Sequence, residues 1–232
     1  MAQNRKIMVS PSILSADFRI LEREVKAAQD AGADMIHCDV MDGRFVPNIT
    51  FGPLVVEAVK KCVSIPLDVH IMIADPAKYA GAFCDAGADV LAFHAEAVDG
   101  AGAVRELLGE IRRRGARPGV AVNPDKPVEL FLDALDAAGQ VVIMSVYAGF
   151  GGQKFMPEVM EKVSAVRKAA VARGLDVDIE VDGGVNSETA AVCAAAGANV
   201  LVAGSYVFGG DYAERIGAVR GSAEKAYCGG GL

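Results

Sequence analysis

All three histidines of this chain and two of its aspartates come at the ends of short apolar segments. They are His37, Asp39, His70, His94 and Asp182. Side chains alternate across a strand, so His37 and Asp39, two residues apart, project from the same face. Two neutral imidazoles and two carboxylates suit a divalent ion such as zinc, manganese, cobalt or iron, and do not choose among these metals. The pattern predicts one metal site if the ends of these segments meet.

Three glycine-rich segments follow later apolar segments and predict a second kind of site. Backbone amides without side chains can close around a phosphate, particularly beside a helix N-terminus. Ordinary tight turns are the alternative for any single glycine pair, but three such segments favour phosphate binding. The candidate phosphate-binding residues are Gly149, Phe150, Gly151, Gly152, Gly183, Gly184, Gly204 and Ser205.

The elements that position these groups form a regular series of junctions. At each junction a glycine stands between a helical pattern and an apolar run, as expected where a helix ends and a strand follows. The junctions lie at Ala31–Asp34, Ala86–Asp89 and Ala196–Asn199, with weaker versions around Gly115, Gly139 and Gly174. This alternation indicates a series of βα units.

The apolar runs predict eight strands, with a helix after each. The predicted strands are Ile7–Ser12, Met35–Asp39, Leu67–Met72, Val90–His94, Pro118–Val122, Val141–Ser145, Ile179–Asp182 and Val200–Ala203. Eight such units over residues 1–232 predict a single-domain (β/α)8 TIM barrel of the α/β class. An open doubly wound sheet is the alternative, although Ser12–Ser15 stands where a dinucleotide-binding fold has its glycine-rich turn.

In a (β/α)8 barrel the C-terminal ends of all strands open on one face, where active sites lie. The histidines, aspartates and glycine segments all fall at that face in the predicted fold. Cys38 lies between His37 and Asp39 and points to the other side of its strand, so we expect it to pack against a helix. The sequence therefore predicts one site that combines a metal with a phosphate-binding pocket.

Charge and cysteine content limit the possible partners. The formal net charge is −7, from 23 basic and 30 acidic residues, which argues against nucleic acid as a partner. The five cysteines never form a Cys-x-x-Cys pair, which is typical of a reducing compartment. No apolar run approaches the roughly 20 residues that cross a bilayer. We expect a cytoplasmic protein that binds neither nucleic acid nor membrane.

The chain resembles the ribulose-phosphate 3-epimerase family over nearly its whole length. The matching stretches are Pro11–Asp17, His37–Asn48, Val69–Met72, His94–Glu96, Gly149–Gln153 and Val181–Val185. The resemblance implies that His37, Asp39, His70 and Asp182 hold the metal. It also implies that Ser12 and His70 border the substrate and that the glycine segments hold its phosphate.

The resemblance further implies a reaction that inverts the carbon next to the ketone of a ketopentose phosphate, interconverting ribulose 5-phosphate and xylulose 5-phosphate. Removing a proton from one face and returning it to the other requires two acid–base groups, for which Asp39 and Asp182 are the candidates. A metal would stabilise the enediolate. Met41, Met72 and Met144 are either ordinary core residues or an apolar lid that excludes water.

The chain departs from the family pattern at Tyr147 and Ala148, where Asn-Pro is usual. The alternatives are therefore a hexulose-6-phosphate 3-epimerase, acting for example on allulose 6-phosphate, and a phosphate-binding homologue whose site Tyr147 blocks. Aldolases and decarboxylases of this fold require Asp-x-Lys-x-x-Asp, and no lysine follows Asp39. His94 and Glu96 are expected to support the site structurally. Barrels of this kind commonly meet a second subunit, so we expect a homo-oligomer.

Overall fold

Strands rich in β-branched residues alternate with helices along the chain. The computed structural model describes residues 5–227, so both chain ends, Cys228 included, lie outside the described part. The strands are β1 Met8–Ser10, β2 Ile36–Met41, β3 Leu67–Met72, β4 Val90–His94, β5 Arg117–Val122, β6 Gln140–Met144, β7 Asp178–Asp182 and β8 Val200–Val202. The helices are α1 Leu21–Asp30, α2 Pro53–Lys60, α3 Pro76–Asp85, α4 Gly100–Arg113, α5 Glu129–Leu132, α6 Met160–Ala172, α7 Ser187–Ala195, α8 Ser205–Phe208 and α9 Tyr212–Ala226.

The strands form one parallel sheet that curls into a barrel. Each strand pairs with the next from β2 to β8, and β8 pairs with β1. A parallel bridge between Ser12 and His37 links the two ends of the sheet, and the His37 backbone N–H donates to Pro11 O at 3.0 Å. The predicted single-domain (β/α)8 barrel is confirmed.

All eight predicted strands agree with the structure to within one or two residues at each end, whereas one predicted helix differs more. The first strand ends at Ser10, two residues before its predicted end at Ser12, and Ser12 instead caps a 3-10 turn over Ile13–Ser15. The helical pattern after β5 forms only α5 and a 3-10 turn over Leu135–Ala137. Its interruption has a physical reason: Arg105 donates to the carbonyl oxygen of Asp133, a group that a continuous helix would use internally.

The interior of the barrel is layered, with an apolar floor below a polar layer. Met8, Met35, Val90 and Val200 pack together as the floor, which we define as the N-terminal end of the barrel. Barrel interiors are usually filled with branched apolar residues, and burying polar groups is costly without hydrogen bonds. The buried polar side chains above the floor are Ser10, His37, Asp68, Gln140 and Glu180.

Hydrogen bonds within this polar layer stabilise it. Gln140 Nε2 donates to Asp68 Oδ1 at 3.0 Å and to Glu180 Oε2 at 2.8 Å. Ser10 Oγ donates to Asp68 Oδ2 at 3.2 Å. Burial, together with the nearby Asp68 carboxylate, raises the pKa of Glu180 well above its usual value. Burial also raises the pKa of Asp68, but His37 outweighs burial and lowers it below its usual value, so the two carboxyl groups of this layer are shifted in opposite directions.

The outer surface of the sheet packs against the helices. Cys38 is completely buried in this layer, as its predicted orientation requires. The four cysteines within residues 5–227 are all free thiols. In the same part of the chain, no helix is both long enough and apolar enough to cross a membrane.

Candidate active site

The pairing of β2 with β3 brings the predicted ligands together. Its register places Asp39 opposite His70, and His37 opposite Asp68. Asp182 ends β7, and its carboxylate reaches the same place across the barrel. One ligand atom from each of His37, Asp39, His70 and Asp182 lies within 4.8 Å of the others. The four residues named from the sequence therefore meet in one cluster inside the barrel.

Two of the histidines lie deeper than the sequence interpretation placed them. His37 is the second residue of β2 and His70 the fourth residue of β3, and both side chains are fully buried. The expectation that His37 and His70 stand at strand ends on the open face was therefore wrong. Pairing continues beyond Asp39, because Val40 and Met41 extend β2 alongside β3.

One buried nitrogen in the cluster requires a partner that the protein does not supply. His70 Nδ1 has no hydrogen-bond partner among the described residues. It lies 3.6 Å from Asp39 Oδ1 and 3.5 Å from Asp182 Oδ2. Leaving a buried polar atom unpaired costs about 1–3 kcal/mol. A divalent cation between an imidazole lone pair and two carboxylates would remove this cost, so the residues fit a metal.

His37 presents its other nitrogen to the same point. Its Nε2 lies 3.3 Å from Asp39 Oδ1 and 3.8 Å from Asp182 Oδ2. Its Nδ1 faces Asp68 Oδ2 at 2.8 Å. A carboxylate that accepts the Nδ1 proton leaves Nε2 unprotonated and able to bind a metal. Asp68, in the polar layer, thereby orients His37.

The Asp39 carboxylate is held at both of its oxygens. Burial raises its pKa, but His37 and His70 outweigh burial and hold the pKa well below its usual range. Asp39 is therefore ionised. Oδ1 faces the two imidazoles, and Oδ2 accepts a hydrogen bond from Ser12 Oγ at 2.5 Å.

A pocket of about 300 Å³ opens above the cluster. Asp39 and Asp182 line it, whereas His37 and His70 lie beneath it. Every residue predicted to bind substrate or phosphate lines this pocket except His70. The volume is at the lower end of the range for small-molecule sites, which suits a ligand of a few carbon atoms and a phosphate.

The comparisons with known proteins identify the family. Residues 8–208 match the family described as "Ribulose-phosphate 3 epimerase family". The chain belongs to the ribulose-phosphate 3-epimerase family. It is therefore an isomerase of the epimerase class.

Individual relatives of this epimerase are similar over almost their full length. The ribulose-phosphate 3-epimerase of Bacillus subtilis is 50% identical, with 93% of this chain and 99% of the relative aligned. The ribulose-phosphate 3-epimerase of Synechocystis is 48% identical, with 94% and 95% aligned.

Solved structures of more distant proteins share the barrel. The 3-hexulose-6-phosphate synthase of Salmonella typhimurium has a TM-score of 0.71 at 16% identity, covering 95% of this chain and 100% of that chain. KGPDC from Streptococcus mutans has a TM-score of 0.72 at 13% identity, covering 96% and 100%. At these identities the similarity concerns the fold alone.

The methionines of the epimerase form one apolar wall of its pocket. Met41, Met72 and Met144 are each no more than 3% exposed, yet all line the cavity. Met41 and Met72 pack with Val46, and Ala148 touches this group as well as the group that contains Met144. These side chains border one side of the pocket with carbon and sulfur.

Two of the glycines have a structural reason to be glycine. Gly183 and Gly184 have φ values of +120° and +62°. A Cβ on Gly183 would lie 2.5 Å from a methyl carbon of Val146, and one on Gly184 would lie 2.7 Å from Phe155 N. The tight-turn explanation therefore applies to this pair, and the turn places both residues in the pocket wall.

The loop after β6 is held by side chains. Gln153 Nε2 donates to the carbonyl oxygens of Tyr147 and Phe150, at 2.7 and 2.8 Å. Ala148 N–H donates to Asn123 Oδ1 at 3.0 Å, a bond that a proline at this position could not make. Tyr147 is half-exposed and lines the pocket. The departure from Asn-Pro thus adds a hydrogen bond to the loop.

Sequence reasoning missed Asn123. Its amide also donates to Glu96 Oε1 at 2.8 Å, so it joins the loop after β6 to the residues beneath the site. The available signal was its position directly after β5, at the face where the other strand ends carry site residues.

Proposed function

We propose that this epimerase interconverts ribulose 5-phosphate and xylulose 5-phosphate by metal-dependent, two-base proton transfer at C3. The observation that carries the proposal is the pair Asp39 and Asp182. They come from β2 and β7, which are not neighbours, and both border the same pocket above one unpaired imidazole nitrogen. The names of the relatives support the substrate.

Two carboxylates suit an inversion of configuration. One removes the C3 proton from one face of the substrate, and the other delivers a proton to the opposite face. The Ser12 hydroxyl bonded to Asp39 Oδ2 fixes the direction of that carboxylate toward the pocket. Fixed direction matters because proton transfer requires the base within hydrogen-bond distance of the carbon-bound proton.

His37, Asp39, His70 and Asp182 would hold one divalent ion, whose identity among zinc, manganese, cobalt and iron the ligand types leave open. When bound, the ion supplies Lewis-acid stabilisation of the negative charge that develops on the substrate oxygens. A proton next to a ketone is too weakly acidic for a carboxylate to remove alone, so such stabilisation is needed for the reaction. Met41, Met72 and Met144 exclude water from the reacting carbon.

The glycine segments would receive the phosphate. All three line the same pocket as the carboxylates, so a phosphate bound there places the rest of a short sugar chain over the two bases. Binding energy from the phosphate then positions the reacting carbon. The partner of the site is accordingly a small sugar phosphate.

Proton NMR in deuterated water tests the proposal. Metal-loaded enzyme is mixed with ribulose 5-phosphate, and the C3 proton signal and the appearance of xylulose 5-phosphate are followed, with and without prior chelation. We expect deuterium at C3 together with product, and loss of both after chelation. Turnover that survives complete metal removal would contradict the metal's role.

The same assay with allulose 6-phosphate checks the substrate. We expect slower turnover than with ribulose 5-phosphate, because the pocket is small. Faster turnover of the hexulose would instead favour the hexulose-phosphate alternative. Absence of exchange with either sugar would favour a binding protein that Tyr147 has made inactive.

We also propose a cytoplasmic location and a homo-oligomeric state. The free thiols of Cys38, Cys62, Cys84 and Cys193 support a reducing compartment. Ile49 and Leu54 are at least 75% exposed, which suits a contact with a second subunit. Light scattering of the purified protein measures the oligomeric state, and a monomer at assay concentration would contradict this part.

A further inference from the structure

The third histidine, His94, lies behind the candidate metal site and touches it through His70. It is completely buried, at the end of β4. His94 Nε2 and His70 Nε2 are 2.9 Å apart, and the ring planes differ by 20° with centroids 5.0 Å apart. The rings thus meet nitrogen to nitrogen rather than face to face. One proton must lie between the two nitrogens, because two N–H groups would repel at this distance.

Glu96 determines which ring donates that proton. Its Oε1 lies 3.1 Å from His94 Nδ1 and also accepts from the backbone N–H and the side-chain amide of Asn123. Burial raises the pKa of Glu96, but the hydrogen bond with His94 and further contacts lower it to about 2, so the group is a carboxylate at neutral pH. A carboxylate can only accept hydrogen bonds. His94 Nδ1 must therefore carry a proton.

The proton on His94 Nδ1 determines which nitrogen donates in the hydrogen bond between His94 and His70. A neutral imidazole with its proton on Nδ1 has a lone pair on Nε2, which suits the single proton that lies between the two rings. His94 Nε2 then accepts from His70 Nε2–H. A neutral His70 with its proton on Nε2 has a lone pair on Nδ1, the nitrogen that faces Asp39 and Asp182 and is otherwise unpaired.

We propose that Glu96, acting through His94, fixes the tautomer of His70 so that Nδ1 is presented to the metal. Glu96 and His94 are positioning residues, because neither lines the pocket or belongs to the cluster of candidate ligands, and His94 reaches that cluster only through its contact with His70. The inference rests on the proposed metal site and assigns its second imidazole. It replaces the general supporting role expected for His94 and Glu96 with a specific one.

The other histidine provides an internal comparison. Asp68 accepts from His37 Nδ1 directly, which leaves Nε2 for the metal. For His70, the imidazole of His94 lies between its ring and the Glu96 carboxylate. Because of this extra ring, Nδ1 is left free in His70, whereas Nε2 is left free in His37. The two histidines are therefore expected to bind one ion through opposite ring nitrogens, Nε2 of His37 and Nδ1 of His70.

Nitrogen NMR of the zinc-loaded enzyme, labelled with 15N in histidine, tests the assignment. The chain has three histidines, so three imidazole spin systems are expected. We expect protons on Nδ1 of His37, Nε2 of His70 and Nδ1 of His94, with zinc-shifted signals for the other nitrogens of His37 and His70. A proton on Nε2 of His94, or a zinc-shifted Nε2 of His70, would overturn the inference.

Two variants measure the contribution of Glu96. Glu96→Ala removes the acceptor, and we expect zinc affinity, measured by chelator competition, to fall about 10- to 100-fold. Glu96→Gln is the matched control, because its amide oxygen can still accept from His94 Nδ1, and we expect at least part of the affinity to return. An unchanged zinc affinity and His94 tautomer in Glu96→Ala would contradict the proposal.

If the proposed metal site is wrong, the NMR experiment gives a different result from the one that would overturn the role of Glu96. If the wild-type protein takes up no zinc, no zinc-shifted nitrogen appears and the proposed function loses its metal. The wild-type His94 tautomer, read in the metal-free protein, still tests the order of protons from Glu96. A His94 proton on Nε2 there would overturn the positioning role by itself.

Discussion

The two ends of the barrel use the same residue types in opposite ways. At the N-terminal end, Asp34 pairs with Lys6 and Arg220 at 2.6 and 2.7 Å, and Asp178 pairs with Arg117 at 2.6 Å. At the C-terminal end, acidic groups and imidazoles surround an unpaired His70 nitrogen.

The repeated helix–strand junction explains why the two ends of the barrel differ. The last residue of each of the three clearest junctions accepts a backbone N–H at the start of a strand. The pairs are Asp34 with Val9, Asp89 with Leu67, and Asn199 with Ile179. A residue type that recurs at the same place in successive βα units serves the fold, whereas His37, His70 and Asp182 are not part of that repeat. The N-terminal end is associated with stability and the C-terminal end with chemistry.

Asp39→Asn tests this division between a stabilising N-terminal end and a chemical C-terminal end, and we expect it to have the largest effect. The amide keeps the size of the side chain and can still accept from Ser12, but it cannot take a proton from carbon. We expect turnover to fall about 10²- to 10⁴-fold, while the thermal midpoint of the metal-free protein changes by only a few degrees. Turnover above a few per cent of wild type would exclude Asp39 as an essential base.

At the opposite end, Asp34→Ala removes a carboxylate of the same type. It breaks contacts to Lys6, Arg220 and the Val9 N–H, so we expect a loss of about 2 kcal/mol in the free energy of unfolding. Urea unfolding measures this loss, and turnover of the folded enzyme is expected to stay within twofold of wild type. Asp34→Asn, which can keep the bond to Val9, is the control and should lose less. A large fall in turnover would contradict the division.

A smaller effect is expected from Gln153→Ala. It removes the amide that joins the carbonyl oxygens of Tyr147 and Phe150, so the glycine segment after β6 is less well positioned for phosphate. We expect KM for ribulose 5-phosphate to rise about tenfold, equivalent to 1.4 kcal/mol, with kcat less affected.

Gln29→Ala is the matched control for Gln153→Ala. Gln29 also holds a loop through its side-chain amide, accepting from Ser64 N–H at 2.7 Å on the way into β3, at the N-terminal end. We expect this variant to lose stability without a change in KM. Equal changes in KM for the two variants would mean that loop bracing in general, rather than the position of Gln153, controls substrate binding.

The sequence predicted the barrel well because its signals are local. A glycine after a helical pattern ends a helix through backbone geometry alone, and an apolar run of strand length follows it. Pro53, Pro76 and Pro157 begin helical turns, another local signal, because proline fits a first helical turn. The segment after β5 was less predictable, because a side chain from another helix binds the Asp133 carbonyl.

For the site, the sequence by itself determined which residue types stand at the C-terminal side of the barrel: two aspartates, three histidines and three glycine segments. Only the tertiary structure decided their depth and direction. Pairing of β2 with β3 buries His37 and His70 and sets Asp68 against one ring, while the contact between β3 and β4 sets His94 against the other. Which nitrogen is free in His37 and in His70 depends on bonds to residues 31 and 24 positions away, respectively. Spacing along the chain does not encode such bonds, because strand register and the closing of the barrel create them.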